Sequence, residues 1–380
     1  MDEFTEASPD ADPAPEGTAR AAPPSAPVAE GAEDLAYGSD EAGPYAIYHL
    51  KKGEALYSAV VVRYTGRVDA QDVNDLAFAI ARRSGIQDVT DIAIGFEVRI
   101  PLSDLLPEYL PRDDPRRQAW EAHQAEVDRY TNRARGPNLR GVAVILDAGH
   151  GGLDRGASHN GVWEHDYVYD ILCRIKALLE KETEARVLST IRDRKEGFAV
   201  QETARLRRSQ AEVLLTDPAF TLQSGAASVN LRWYLTNSYF RRLVAEGYDP
   251  LKIVFTSLHA DARHSSLRGA MVYVPGEEYR RGRYGYSGAI YTRHREVREK
   301  RYVSFTRAER ERSEGLSRQF ARRLTASFRD RGVPVHPFLP VRERIIRRGR
   351  SWVPAVLRCS EVPVQVLVEI TNLSNPTDSR

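Results

Sequence analysis

The chain has 380 residues and a formal charge of +2, because 55 Lys and Arg nearly balance 53 Asp and Glu. This balance gives no indication of a nucleic-acid-binding protein, and the length allows two domains or one domain with appendages. No run of about 18 apolar residues occurs, so no membrane span is predicted.

Residues 1–43 are predicted to be a disordered acidic linker rich in Ala and Pro. They hold 11 acidic residues, a single Arg and almost no large apolar side chains. Such a composition buries too little apolar surface to offset the entropy lost on ordering. No basic segment followed by an apolar one precedes it, so no signal peptide is visible.

Residues 44–102 are predicted to form a compact βααβ unit. A strand-like run begins at residue 45, helical stretches follow from residue 55 and over 73–83, and a strand at Glu97–Pro101 closes the unit. The motifs GEALYS and IAIGFEVRIP resemble those of a LysM module. That resemblance implies binding to glycans containing N-acetylglucosamine; a small domain with another binding role is the alternative.

Residues 103–138 are charged, contain several prolines and include one helix-compatible stretch over 115–134. We predict that they space the first unit from a larger domain at 139–380. A helix that docks on that domain is the alternative.

The first stretch of the larger domain, residues 142–152, reads VAVILDAGHGG. Five successive apolar residues, three of them Val or Ile, are typical of a buried parallel strand. The run stops at Asp147, and a glycine-rich turn follows. His150 is therefore predicted just beyond the carboxyl end of a core strand, where open α/β sheets usually carry their chemistry.

Two later runs repeat this arrangement. KIVFTSL at residues 252–258 is followed at once by His259, and VQVLV at residues 364–368 is followed by Glu369. If the strands are parallel, these side chains and His150 lie on one edge of one sheet. The patterns predict an α/β fold with a mostly parallel twisted sheet flanked by helices.

A fourth candidate, Glu164, lies 14 residues after His150, directly ahead of an amphipathic helical pattern. Two imidazoles and a carboxylate suit a catalytic Zn²⁺ site, which keeps one position open for water. A further carboxylate beside the metal can transfer the proton. We assign His150, Glu164 and His259 to the metal and Glu369 to proton transfer, with His165 a possible competitor of Glu164.

Longer motifs then show a family resemblance. DAGHGGLDRGASHNGVWEHD, SLHAD at 257–261 and VLVEITNLSN at 366–375 resemble, in this order, the zinc-dependent N-acetylmuramoyl-L-alanine amidases. The resemblance extends from about residue 139 to the end. It implies a phosphorylase/hydrolase-like α/β fold and the same four site residues.

The implied reaction is hydrolysis of the amide between N-acetylmuramic acid and L-alanine of the peptidoglycan stem peptide. The implied partners are peptidoglycan glycan strands and stem peptides, with no nucleic acid and an unknown activator. The expected location is the periplasm or the extracellular cell envelope. A zinc peptidase acting within the stem peptide, and a non-catalytic wall-binding or regulatory protein, are the alternatives.

Three further features carry expectations. An Arg- and Tyr-rich segment at 262–312 is proposed to line a glycan cleft through Arg280, Arg281 and Arg283, with a solvated surface as the equal alternative. Two cysteines, Cys173 and Cys359, make no disulfide framework. The family usually continues with another helix after the SN pair, whereas this sequence ends at Arg380.

Overall fold

The computed structural model describes residues 35–132, 136–159, 161–203 and 206–378. Most of the predicted disordered linker, residues 1–34, lies outside these residues. No helix in the described ranges combines the length and apolar character needed to cross a membrane.

The N-terminal unit is a three-stranded antiparallel sheet with helices packed on it. Its elements are β1 (Ala36–Asp40), β2 (Gly43–His49), a π-helical segment (Leu56–Val62) that continues as α1 (Arg63–Thr65), α2 (Ala70–Ser84) and β3 (Glu97–Pro101). The central strand β2 pairs with both β1 and β3. The predicted order of strand, two helices and closing strand is confirmed.

Strand β1 corrects the predicted boundary of disorder at residue 43. The composition of this segment is acidic, but its backbone pairs with β2 from Ala36 to Asp40. Asp40 is also held by Arg83 of α2 at 2.6 Å. The prediction failed here because it relied on composition, whereas the segment is ordered by a local hairpin and by an ion pair with a residue distant in sequence.

Helix α2 has clear boundaries. The side chain of Asp69 accepts hydrogen bonds from the backbone N–H groups of Gln71 and Asp72, and Gly85 ends the helix in the left-handed conformation (φ 75°). Its buried face, which includes Val73 and Ile80, packs into the core of the unit. Burial of each such side chain contributes about 1.5–3 kcal/mol.

The connecting segment is helical and docked. A 3₁₀ turn (Pro107–Tyr109) precedes α3 (Pro115–Val127), which is capped by Asp114 and has Pro at its first position. Nε2 of His123 on α3 lies 3.0 Å from Oε2 of Glu314 in the larger domain. The described part of the segment therefore fits the docked alternative better than a free spacer.

The larger domain alternates strands and helices. Its strands are β4 (Ala143–Ala148), β5 (Ser158–His159), β6 (Val162–Trp163), β7 (Arg186–Ser189), β8 (Ile191–Asp193), β9 (Glu212–Leu214), β10 (Ile253–Asp261), β11 (Met271–Tyr273), β12 (Tyr284–Gly285), β13 (Tyr302–Val303), β14 (Val341–Arg342), β15 (Ile345–Arg347), β16 (Arg350–Trp352) and β17 (Val364–Asn372). Its helices are α4 (Glu164–Glu182), α5 (Gly225–Ala245), α6 (Ala289–Thr292), α7 (Arg295–Glu299), α8 (Arg307–Asp330) and α9 (Ala355–Arg358), with 3₁₀ turns at Pro250–Lys252 and Glu277–Arg280.

Six strands form the central sheet in the order β14-β11-β17-β10-β4-β7. The strands β7, β4, β10 and β17 are mutually parallel, and β11 is antiparallel to β17. The predicted α/β fold with a mostly parallel sheet is confirmed. The reversed direction of β11 was not predicted, because a three-residue strand leaves no signal of direction in the sequence.

Both faces of the sheet are covered by helices. Alternate residues of the central strands pack toward different clusters, which explains why these strands are largely apolar. One cluster contains Leu146, Leu258 and Val366 with side chains of α4, and the other contains Ile145, Phe255 and Leu367 with side chains of α5. The cysteines Cys173 and Cys359 are buried and free.

The N-terminal unit packs directly against the larger domain. Leu267 and Met271 belong to the same apolar cluster as the core of that unit. The buried Arg342 donates to the carbonyl of Gly66 at 2.8 Å, and Arg347 pairs with Asp69 at 2.9 Å. Apolar and polar contacts thus join the two parts across one interface.

Candidate metal centre

A glycine-rich turn at the carboxyl end of β4 presents His150. This residue has a positive φ of 63°, and its neighbour Gly151 has φ 108°. The backbone N–H of Gly149 donates to the carbonyl of Leu258 at 2.8 Å, which ties the turn to β10. A Cβ atom at Gly149 would lie 2.2 Å from Cε1 of His259, so glycine there makes room for the second imidazole.

Glu164 is the first residue of α4, and its carboxylate points into the same space. Oε2 accepts a hydrogen bond from the backbone of Ala157 at 2.8 Å, and Oε1 accepts one from the backbone of Ala260 at 3.0 Å. The residue is only 2% exposed. Two backbone donors therefore fix both oxygens of this carboxylate.

The two imidazoles meet this carboxylate. Nε2 of His150 lies 3.3 Å from Oε2 of Glu164, and Nδ1 of His259 lies 3.0 Å from Oε1. One donor atom from each of the three residues lies within 4.8 Å of the others. The predicted convergence is confirmed, and the donor set fits a zinc ion; the role of these residues as ligands stays a prediction.

His165, the possible competitor, points elsewhere. Its Nε2 lies 2.8 Å from the carbonyl of Ser209, and the side chain is 1% exposed. It is not part of the three-residue cluster.

The environment keeps Glu164 ionised. Burial by itself would raise its pKa, but hydrogen bonds with His150 and His259 outweigh that effect and hold the pKa well below its usual range. An ionised carboxylate between two imidazoles is the form that a divalent cation requires.

Glu369 lies on β17 directly beside His259 in the parallel register of β10 and β17. It is 6% exposed, and its Oε1 lies 3.1 Å from Nη2 of Arg263. Its other oxygen, Oε2, is buried and has no hydrogen-bond partner among the described residues. Burial raises the pKa of Glu369 above its usual range, and the charge of Arg263 opposes this rise.

Two charged neighbours of the site were not predicted. Oδ2 of Asp154 lies 3.0 Å from Nδ1 of His150, on the side of the ring away from Glu164. Arg263 pairs with Glu369 and with Asp261 and donates to the hydroxyl of Tyr273 at 2.9 Å. Both residues follow shortly after predicted site residues in the sequence, which is the only signal that could have found them.

A third residue, Arg232 of α5, holds the turn that carries His150. Its guanidinium donates to Oδ1 of Asp147 and to the carbonyl of Ala148, both at 2.5 Å, and to the carbonyl of His150. Asp147 is fully buried and also accepts from Ser257 at 2.7 Å. No local pattern marks Arg232, because its partners come from strands distant in sequence.

The prediction that Arg280 lines a glycan cleft within segment 262–312 is wrong. That side chain is 1% exposed and donates to the carbonyls of Arg358 and Ser360 at 3.1 and 2.5 Å. The antiparallel direction of β11 carries the chain away from Glu369, so this part of the segment lies toward the opposite edge of the sheet. Arg281 pairs with Glu277, and Arg283 stacks on Tyr302.

Comparison with known proteins finds a family match around this site. The family model of N-acetylmuramoyl-L-alanine amidase matches residues 144–219, which include His150 and Glu164. None of the curated proteins matches the chain significantly.

A search of solved structures also finds amidases. The N-acetylmuramyl-L-alanine amidase of Mycobacterium smegmatis is 18% identical, with 64% of this chain and 87% of that chain covered and a TM-score of 0.37. The amidase of Nostoc punctiforme is 18% identical, with coverages of 63% and 84% and a TM-score of 0.31. That of Clostridium difficile 630 is 14% identical, with coverages of 63% and 83% and a TM-score of 0.32.

At these TM-scores the structural likeness adds no argument, and the assignment rests on the family match. Peptidoglycan is the substrate that the family implies, with action in the cell envelope. Residues 144–219 of the chain are therefore similar to the N-acetylmuramoyl-L-alanine amidase family.

Proposed function

We propose that this amidase hydrolyses the bond between N-acetylmuramic acid and L-alanine with a zinc ion held by His150, Glu164 and His259. The observation that carries the proposal is the convergence of these three donors within 4.8 Å. Glu369, with one buried unpartnered oxygen on the adjacent strand, supplies the proton transfer.

Neighbouring groups fix the position of two proposed metal ligands, Glu164 and His150. Backbone donors fix the carboxylate of Glu164, and the contact of Asp154 with Nδ1 of His150 orients that ring. When bound, zinc supplies Lewis-acid polarisation of the scissile carbonyl and lowers the pKa of water toward about 7. These residues would therefore hold the cation at the carboxyl ends of β4 and β10.

Glu369 is suited to moving a proton. Arg263 holds Oε1, which leaves Oε2 free to accept a proton from the attacking water. Burial raises the pKa of the carboxyl, so the accepted proton is retained until the leaving amine of L-alanine takes it up. One residue acts as base and then as acid.

The proposal also includes a role for the N-terminal unit and a cellular location. The N-terminal unit, with its LysM-like motifs, binds the glycan strand, and the domain at 139–380 cleaves the stem peptide. The enzyme acts in the periplasm or outside the cell. The packing of the unit on the larger domain supports action of the two parts on one polymer.

Product analysis tests the proposed bond. Digestion of purified peptidoglycan should release peptides with an L-alanine amino terminus and leave unbroken glycan strands. Removal of the metal with a chelator should abolish release, and added Zn²⁺ should restore it. New amino termini at other stem residues would instead identify a peptidase, and chelator-resistant release would contradict the metal role.

A further inference from the structure

A cationic stack lies at the rim of the metal centre. The guanidinium carbon of Arg155 lies 4.1 Å from the ring centroid of Trp163, and that of Arg208 lies 4.2 Å from the same centroid. Trp163 immediately precedes the metal-binding Glu164, and Arg155 immediately follows Asp154, which contacts His150. The ring that carries the two charges is therefore next in sequence to Glu164, and Arg155 is next to a residue that contacts His150.

Local structure holds this stack in place. The backbone N–H of His165 donates to the carbonyl of Arg155 at 3.4 Å, which fixes Arg155 to the start of α4. Arg208 donates to the carbonyl of Gly161 at 2.9 Å, in the segment that joins β5 to β6. Stacking on an indole orients a planar guanidinium and lowers the entropy lost when it binds a ligand.

The two arginines of the stack carry charges that no carboxylate of the described residues pairs with. Both arginines are exposed, and across the described ranges neither forms an ion pair with a carboxylate. Two like charges held against one ring repel each other, and an anion that contacts both would relieve that repulsion. Each guanidinium presents a planar fork of N–H donors that suits a carboxylate.

We propose that Arg155 and Arg208, stacked on Trp163, bind a free carboxylate of the stem peptide beside the scissile amide. This inference rests on the proposed function and adds a preference for stems with a free carboxylate over stems in which that group is amidated. It also moves the carboxylate-binding role expected of arginines at 280–283 to a different pair.

The test compares two muramyl dipeptides that differ only in a free or amidated α-carboxylate on the second residue. Binding is measured by calorimetry with zinc-loaded Glu369→Gln protein, which is expected to leave both ligands intact. This protein should bind the free form about tenfold more tightly, as a charge-assisted contact provides. With Arg155→Ala and Arg208→Ala added, both dipeptides should bind equally.

Arg140→Ala in the same background is the matched control. Arg140 is an exposed arginine just before β4, at the opposite edge of the sheet, and its removal should leave the preference intact. Equal binding of the two dipeptides before the arginines are removed would overturn the inference, as would a preference that survives their removal. Absence of measurable binding of either dipeptide would overturn it too.

Cleavage by the wild-type enzyme separates this inference from the proposed function. Hydrolysis of both dipeptides together with equal binding would leave the amidase reaction standing and remove the role of the stack. A binding preference without hydrolysis of either dipeptide would support the role of the stack and contradict the amidase reaction.

Discussion

Two glycines at the predicted metal centre leave space that a larger residue would fill. A Cβ atom at Gly149 would meet the ring of His259 at 2.2 Å, and one at Gly156 would meet Oε2 of Glu164 at 2.5 Å. Each of these glycines thus allows one predicted ligand to reach its position. The predicted metal ligands therefore require neighbours without a side chain.

Gly149→Ala should weaken zinc binding more than it lowers stability. The added methyl group would displace the far end of the His259 side chain, which can turn away, and supporting changes of this kind cost about 10–100-fold in metal affinity. Competition with a chelator of known affinity measures the effect. Gly136→Ala, where the methyl group would lie 3.6 Å from its nearest neighbour, is the control; equal zinc affinity in both variants would refute the steric role.

At the scale of elements, α5 acts on the site through one buried ion pair. Arg232 joins this helix to Asp147 at the end of β4 and to the carbonyl of His150. Both side chains are nearly inaccessible to solvent, so removal of either partner would leave a buried charge uncompensated.

Arg232→Met should lower the free energy of unfolding by about 3–5 kcal/mol, because Asp147 would then be buried without its counter-charge. Denaturant unfolding measures the loss. The double variant with Asp147→Asn should recover part of it, since neither charge is then present. A loss in the single variant below about 1 kcal/mol would show that the pair does not hold the turn.

The contact of α3 with α8 should depend on pH. The hydrogen bond with Glu314 raises the pKa of His123. Burial by itself would raise the pKa of Glu314. The hydrogen bond with His123 and the charge of Arg318 outweigh burial and lower this pKa to about 2. His123 contributes fully to the free energy of unfolding below about pH 6.5, and this contribution is lost as pH rises through the pKa of the folded protein. Glu314 contributes fully above about pH 4.3, and its contribution is lost as pH falls toward 2.

His123→Ala should therefore destabilise the protein by about 1 kcal/mol at pH 5.5 and by much less at pH 9. Free energies of unfolding at the two pH values measure the difference. Gln124→Ala on the same helix removes no ionisable group and should have the same effect at both. A loss at pH 9 as large as that at pH 5.5 would mean that packing, not charge, joins the helices.

The sequence allowed prediction of the strands that carry the site, but not of the contacts that support it. The apolar runs ending at His150, His259 and Glu369 predicted parallel strands, because both faces of such strands are buried. Arg232 and Arg263 were missed, since their roles depend on which elements become neighbours. Strand β1 was missed because its pairing with β2 outweighs an acidic composition.

At the scale of the whole molecule, the loop after β10 joins the metal centre to the N-terminal unit. Asn372, three residues after Glu369, accepts from the backbone of Arg263 and donates to the carbonyls of His264 and Leu267. Leu267 is 2% exposed and packs with the core of the N-terminal unit. The loop after β10, held by these hydrogen bonds with Asn372, therefore contacts both the N-terminal unit and the site.

Leu267→Ala should uncouple the two parts. The cavity would cost about 2–5 kcal/mol, and because it lies at the interface we expect one calorimetric transition to separate into two. Leu178→Ala, on the exposed surface of α4, is the control and should leave the transition unchanged. A single transition in the Leu267 variant at the original temperature would contradict the proposed coupling.

The division of labour between three metal-binding residues and one proton-transferring residue is tested most directly by Glu369→Gln. Zinc content and release of soluble material from purified peptidoglycan would be measured for this variant and for the wild type. We predict one zinc ion in both proteins and release lower by about 10²–10⁴-fold in the variant, because only the proton transfer is removed. Full activity in the variant, or loss of zinc together with activity, would contradict this division.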